Sequence, residues 1–333
     1  MASAYSPAQI QQYESHVALP TRFRQSSNPL LDPAYLTALH VHQLAAIPYE
    51  NLILHYSATH AVSLEPQTLF KKMVTDARGR GGYCMENSIL FHHILQALGF
   101  KVYMAGVRIR PRAGGVPDGK YTGWVHIVNI VTLADKSRYM LDVGFGGDGA
   151  TKPLPLVAGH VTQNLGTQEI RLMQEPLPHS SQPDQLHVSS PTTSQSFTRL
   201  EFLTFGKWIY QYRNSQTQNW NSFYAFPELE FFARDFEIMS YYTSTSLSER
   251  NFQTRTVLVI RFLKGERENE GIVGKVMMVD GKLKRNDGGK TSLVMVCENE
   301  AQRIQALKEH FGIRLTDEEV GSVRGRNVEL VGR

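Results

Sequence analysis

The hydrophobic period of this chain changes from helical to strand-like near residue 100, and that change constrains its fold more than any other feature. Before it, apolar residues recur at helical spacing, and helix starts are marked by a capping residue followed by proline. Ser6-Pro7 with Gln9 has the form of a capping box; Asp32-Pro33 precedes AYLTALHVHQLAAI, and Glu65-Pro66 precedes QTLFKKMVTDA. A fourth helix is predicted from about Glu86 to Leu98, where Leu90, Ile94, Ala97 and Leu98 form one apolar stripe and Gly99 supplies the left-handed end. Beyond residue 100 the period is two. VYMAGVRI (102–109), WVHIVNIV (124–131), RYMLDVGF (138–145), EIRLMQ (169–174) and RLEFLTF running into KWIYQYR (199–213) read as strands, with short turns that favour antiparallel pairing.

The remainder is mixed. Residues 176–198 are rich in Pro, Ser, Thr and Gln and read as a long exposed loop or insertion. A short helix is predicted near Pro227–Ala233. Strands follow within 254–262 and 274–285, with Asp280-Gly281 as a hairpin turn, then a strand at 292–296 and a helix over Asn299–Phe311 capped by Gly312. A chain of 333 residues exceeds what one core usually serves, so the reading is α+β and multi-domain. Its divisions are 1–100, helical; 101–224, antiparallel β with the 176–198 insertion; and 225–333, an interdomain helix and a mixed α/β unit.

Several function classes drop out. Lys plus Arg is 35 against 31 for Asp plus Glu, a net +4 with no block of like charge, so no nucleic-acid or membrane-surface partner is indicated. No segment approaches the ~18 uninterrupted apolar residues of a membrane span, and the first residues do not resemble a secretory signal. Two cysteines, Cys84 and Cys297, exclude a disulfide framework and a thiolate-rich metal site and suit the cytoplasm. No histidine spacing implies a metal. The glycines at 144, 146, 147 and 149 lack the Lys-Ser/Thr of a phosphate-binding loop.

The chemistry concentrates on Cys84. It follows Arg80-Gly81-Gly82-Tyr83 and opens the fourth helix, where unpaired amides and the helix dipole are expected to lower its pKa. Cys297, at the end of an apolar strand, reads as inert. A cysteine nucleophile needs a base, and the base an orienting group. His126 interrupts an apolar strand, on one face with Trp124, Val128 and Ile130; Asp142 interrupts the next, on one face with Met140. Adjacent antiparallel strands can bring the two together. Phe145, held between glycines, suits the wall of a pocket.

These residues resemble the arylamine N-acetyltransferases. HQLAAIPYENL (42–52) resembles that family's PFENL segment, RGGYCMENS (80–88) its RGGxC nucleophile signature, GWVHIVNIV and YMLDVGFGG its histidine and aspartate strands, and 235–255 the segment leading into its third domain. The resemblance implies a papain-like cysteine protease core, made of a helical bundle and an antiparallel β-barrel, with a C-terminal α/β lid. It also implies a Cys84–His126–Asp142 triad and ping-pong transfer from acetyl-CoA to aromatic amines or hydrazines, as in xenobiotic metabolism. Phe145 would then line the acceptor pocket, and Thr122 and Gly123 would lie near the cofactor. The residues alone leave other readings open: a cysteine hydrolase, a transglutaminase-like enzyme, or a non-catalytic protein that binds aromatic ligands. Oligomeric state and acyl-chain selectivity are not set by the sequence.

Overall fold

The computed structural model describes residues 3–113, 115–175, 177, 207–267 and 270–332. The insertion expected at 176–198 lies, apart from Leu177, outside the described residues, as does the strand expected over 199–206.

The N-terminal part is helical, as its capping signals predict. Helix Pro7–His16 starts with the Ser6/Gln9 capping box, and in helix Pro33–Ala46 the Asp32 carboxylate accepts the Tyr35 amide at 2.8 Å. Helix Pro66–Phe70 continues as a π-turn over Lys71–Thr75. The fourth helix spans Cys84–Ala97, starting two residues before its expected position, and Gly99 follows with φ +92°. Tyr13, Leu36, Leu39, Phe91, Ile94 and Leu95 join these helices in one core that excludes water.

Among the described residues, Arg112–Ala113 and Val116–Pro117 form a separate two-stranded pairing, and the rest of the β part is an antiparallel sheet of eight strands. Its order is Leu154–Pro155, Arg138–Leu141, Trp124–Thr132, Lys101–Ile109, Asn221–Pro227, Lys207–Arg213, Glu169–Gln174 and Thr162–Gln163. The first of these strands comes within 8 Å of Glu169–Gln174, so the sheet is nearly closed. Its interior is filled by residues such as Val107, Val128, Ile130, Tyr210 and Tyr224.

Three expectations need correction here. The strand thought to carry Asp142 ends at Leu141, because the Asp142 carboxylate accepts the Gly144 amide at 3.1 Å and begins a turn. The helix expected near Pro227–Ala233 is not there; Pro227 closes strand Asn221–Pro227, and the helix runs over Ala233–Thr245. Trp124 does not share a face with His126. The register shifts between Val107 and Arg108, leaving Val125 as an extra residue, and this bulge turns Trp124 toward Phe231 on the helix side of the sheet.

The C-terminal part forms a five-stranded antiparallel sheet packed with helix Glu300–Phe311. The Asp280-Gly281 hairpin is present, with Asp280 at φ +53°; Gly312 caps the helix as predicted, and Asn299, expected as its first residue, is its N-cap. This sheet's edge strand is Tyr49–Glu50, from the helical part, paired with Leu258–Lys264. No described helix is long and apolar enough to cross a membrane.

Candidate active site

Two segments singled out in the sequence build the floor of the site together. The PYENL segment crosses RGGYC: Gly82 bridges Tyr49, and the Glu50 amide donates to Gly82 O at 3.0 Å. Pro48 O lies so close to Gly81 that a Cβ there would stand 1.8 Å from it. Glu50 accepts from Arg80 Nε at 2.9 Å and from the Gly81 amide at 3.2 Å. The Asn51 side chain donates to Gln253 O and Thr256 O and accepts the Leu258 amide. Glu50 and Arg80 thus hold the turn before Cys84 in one shape, while Asn51 ties the same segment to residues 253–258.

Cys84 begins its helix and is buried. Its Sγ lies 3.7 Å from Val125 O, the carbonyl freed by the bulge one residue before His126. Gly144, two residues after Asp142, presses on the Cys84 backbone: a Cβ there would stand 2.7 Å from Cys84 O. His126 Nε2 meets Asp142 Oδ2 at 2.9 Å, with both side chains shut off from solvent. No described residue hydrogen-bonds His126 Nδ1.

The electrostatics differ from the sequence-based expectation at Cys84. Burial pushes the thiol up. The Met85 and Cys84 amides at the helix start pull it down, while Asp142 and Glu86 push it further up. The net direction is upward, because the dipole and amides of one helix end do not offset loss of water around a sulfur anion. A thiolate here requires a partner that takes its proton within the site.

Aromatic rings close one side. Phe145 sits 5.1 Å from the His126 ring, 4.7 Å from Phe223 and 4.8 Å from Tyr224, and Tyr224 stacks on Tyr210 at 4.5 Å. Phe145 was legible in the sequence. Tyr224 and Phe223 were not, although the alternating aromatics of SFYAF mark that strand. The loop bearing Phe145 is held carbonyl by carbonyl, each by a side chain from a different place. Lys275 donates to Gly147 O, Tyr210 to Asp148 O at 2.9 Å, Asn164 to Gly149 O at 3.1 Å and His40 to Ala150 O at 3.1 Å. A loop so fixed presents Asp142 and Phe145 without paying ordering entropy at each turnover. The Thr122 hydroxyl is occupied by backbone, accepting from the Ile109 amide and donating to Gly123 O, while Gly123 borders open space. Cys297 is buried at the end of strand Ser292–Val296, its amide on Gly281 O at 2.7 Å.

Comparison with known proteins fits this geometry. The N-acetyltransferase family model matches residues 32–320. An N-malonyltransferase of Fusarium pseudograminearum is 35% identical over 335 residues, covering 95% of this chain and 91% of that protein. Arylamine N-acetyltransferase 2 of Mesocricetus auratus is 36% identical over 137 residues, covering 40% of this chain and 44% of its own length. The structure of the Mycobacterium marinum arylamine N-acetyltransferase in complex with CoA superposes with a TM-score of 0.71 at 22% identity, covering 97% of this chain and all of that one. The fold is accordingly the papain-like cysteine protease core, helices plus a nearly closed antiparallel barrel, with a C-terminal α/β unit.

Proposed function

This chain belongs to the arylamine N-acetyltransferase family of acyltransferases, and from that premise we propose that it moves an acyl group from a coenzyme A thioester, through Cys84, to the nitrogen of an aromatic amine or hydrazine. The observation that carries the reading is the enclosed His126–Asp142 pair beside Cys84. In outline, His126 takes the Cys84 proton, and the thiolate attacks the thioester carbonyl. The carbonyl–sulfur bond to CoA breaks as the bond to Sγ forms, and the CoA thiolate leaves with the proton from His126. The amine then attacks the acyl-cysteine, loses its proton to His126, and Cys84 departs and is reprotonated. Asp142 holds the imidazole in one tautomer and offsets its transient charge. The amides of Cys84 and Met85 face the sulfur and can receive the oxyanion, an effect worth roughly 3–4 kcal/mol in comparable sites.

The upward-pushed thiol fits such a mechanism. An exchange of protons inside a buried pair activates sulfur without exposing a thiolate to water, so the resting enzyme is spared oxidation. Thr122 and Gly123 border the expected cofactor approach, and Phe145 with Phe223 and Tyr224 offers a flat apolar wall for an aryl ring. An acetyl group is the donor implied by the family signature, and a role in xenobiotic conversion in the cytoplasm follows from the same resemblance. One observation favours a malonyl donor instead: the N-malonyltransferase is matched along nearly the whole chain, the Mesocricetus enzyme along less than half.

The test is intact-protein mass spectrometry after mixing with acetyl-CoA or malonyl-CoA and no amine. One acyl adduct is expected, mapped to Cys84 and absent in Cys84→Ala, and discharged by an arylamine such as 4-methoxyaniline. An adduct retained in Cys84→Ala, or none with either donor, rejects the reading.

A further inference from the structure

A second part of the molecule grips the turn that precedes Cys84. Residues 312–319, which follow helix Glu300–Phe311, lie against residues 77–80. Gly79 has φ +71°, and a Cβ on it would stand 2.2 Å from Gly312 O. The Arg314 amide donates to Arg78 O at 2.9 Å, and its guanidinium to Ala77 O at 2.6 Å. Beyond them the short helix Asp317–Gly321 presents Glu319. Its Oε1 accepts from Arg80 Nη1 at 2.8 Å and its Oε2 from Arg78 Nη1 at 2.6 Å. The Glu319 side chain is 17% exposed. Burial pushes its carboxyl up, but Arg78, the Thr316 amide and Arg80 outweigh this and hold it below its usual value. It is therefore a carboxylate at neutral pH.

These contacts make Arg80 the shared member of two ion pairs. Its Nε donates to Glu50 and its Nη1 to Glu319, while Nη2 is buried and finds no hydrogen-bond partner among the described residues. The guanidinium is thus seated by two carboxylates from opposite ends of the chain. Arg78 and Arg80 face Glu50 and Glu319, so the four charges balance only while Glu319 is present. Without it, two neighbouring guanidinium groups share one carboxylate. From Arg80 the path to the nucleophile is short. Glu50 accepts the Gly81 amide at 3.2 Å, its own amide donates to Gly82 O at 3.0 Å, and Cys84 begins its helix two residues later.

We propose that Glu319 is a positioning residue for the nucleophile: acting through Arg80, it sets the turn that places Cys84, and so governs the rate of reaction at sulfur rather than the affinity for the acyl donor. Glu319 takes part in no bond change and exchanges no proton. Its effect is geometric, and it is steep, because a displacement of about 1 Å at a reacting group can cost roughly 10²-fold in rate. The acylation arm of the test rests on the acyl transfer proposed above. The alkylation arm does not.

Two substitutions grade the loss. Glu319→Gln keeps the reach of the side chain and removes its charge; Glu319→Ala removes both. One arm is single-turnover acylation of Cys84 by acetyl-CoA and by malonyl-CoA, followed by intact-protein mass spectrometry. Another is alkylation of Cys84 by iodoacetamide at neutral pH, which needs no acyl donor. Urea unfolding of each variant ensures that rates are compared on folded protein. The maximal acylation rate is expected to fall about threefold in Glu319→Gln and about tenfold or more in Glu319→Ala, with the half-saturating donor concentration unchanged and alkylation slowed in the same order. Should Glu319→Ala fold poorly, Glu319→Gln carries the comparison. Acylation and alkylation at or above the wild-type rate in the folded variants, with only the urea midpoint lowered, overturn the proposal and leave Glu319 as a clasp of the fold. A raised half-saturating concentration at an unchanged maximal rate also overturns it, by assigning the segment to donor binding. Absence of any adduct on wild-type Cys84 is a different failure, that of the acyltransferase reading, and the alkylation arm then still decides the role of Glu319.

Discussion

Arg80 and Glu50 form an ion pair, 2.9 Å apart, with side chains only 3% and 0% exposed, and the pair fastens the turn before Cys84 to the segment beneath it. Burial alone would push the Glu50 carboxyl up, but Arg80, Lys72 and the surrounding hydrogen bonds outweigh it and hold it below its usual value. Arg80→Met leaves Glu50 charged, buried and without its guanidinium. The expected loss is about 3–5 kcal/mol of stability, measured by urea unfolding, together with loss of acyl transfer. A loss below about 1 kcal/mol would show that the pair is not structural.

Three buried histidines make stability depend on pH. His40, His55 and His92 are each pushed down to about 4, chiefly by burial. Unfolding returns them to about 6.5, so the unfolded chain binds more protons between those values. Their stabilising effect is complete above pH 6.5 and is lost as pH falls toward 4. Each is expected to cost on the order of 1–2 kcal/mol at pH 5 relative to pH 7.5. Urea midpoints across that range test it; a flat profile contradicts it, and His92→Gln is expected to make the slope shallower.

Much of this was legible because it is local. Ser6 with Gln9, Asp32, Asn299 and Gly312 announce helix ends through short-range hydrogen bonds, and Asp280-Gly281 announces a hairpin. Cys84, His126 and Asp142 stood out because each interrupts an apolar or glycine-rich run, and the structure brings them into one place. What was not legible depends on distant partners. Tyr49–Glu50 is a strand only because Val259 and Ile260 lie beside it. The Val125 bulge, which turns Trp124 away from His126, follows from the pairing with Val107 and Arg108. Lys275 and His40 reach the Asp142–Ala150 loop from opposite parts of the molecule. The thiol was expected to be acidified by its helix, but the depth of burial that reverses this has no signature in a local window.

Asp142→Asn keeps the size of the side chain and removes its charge. Oδ2 can no longer fix and balance the imidazole at Nε2, 2.9 Å away. A fall of about 10²–10⁴ in the single-turnover acylation rate is expected, with a near-native far-UV circular dichroism spectrum. A fall under about fivefold would remove Asp142 from the mechanism proposed above.

Gly144→Ala tests the contact between the acidic turn and the nucleophile. Its Cβ would stand 2.7 Å from Cys84 O and 2.8 Å from Cys84 Cα, backbone atoms that cannot step aside. The loop must move, so kcat is expected to fall tenfold or more, with a loss of about 1–3 kcal/mol in stability. Gly321→Ala, where nothing lies within 4 Å, serves as the control and should leave the thermal midpoint nearly unchanged. Equal behaviour of the two variants would mean that the contact has no bearing on the site.

The pairing of Tyr49–Glu50 with Leu258–Lys264 sets an order of events during synthesis. Asn51 and Leu258, which bond to each other beside that pairing, are 207 residues apart. A ribosome adding about 5–20 residues per second takes roughly 10–40 s to make that stretch. For most of that interval the nascent chain already contains its thiol but lacks strand Leu258–Lys264, beside which Tyr49–Glu50 is fixed. Completion of the turn before Cys84 is therefore coupled to late translation, because a chain interrupted before residue 258 lacks the partner of Tyr49–Glu50.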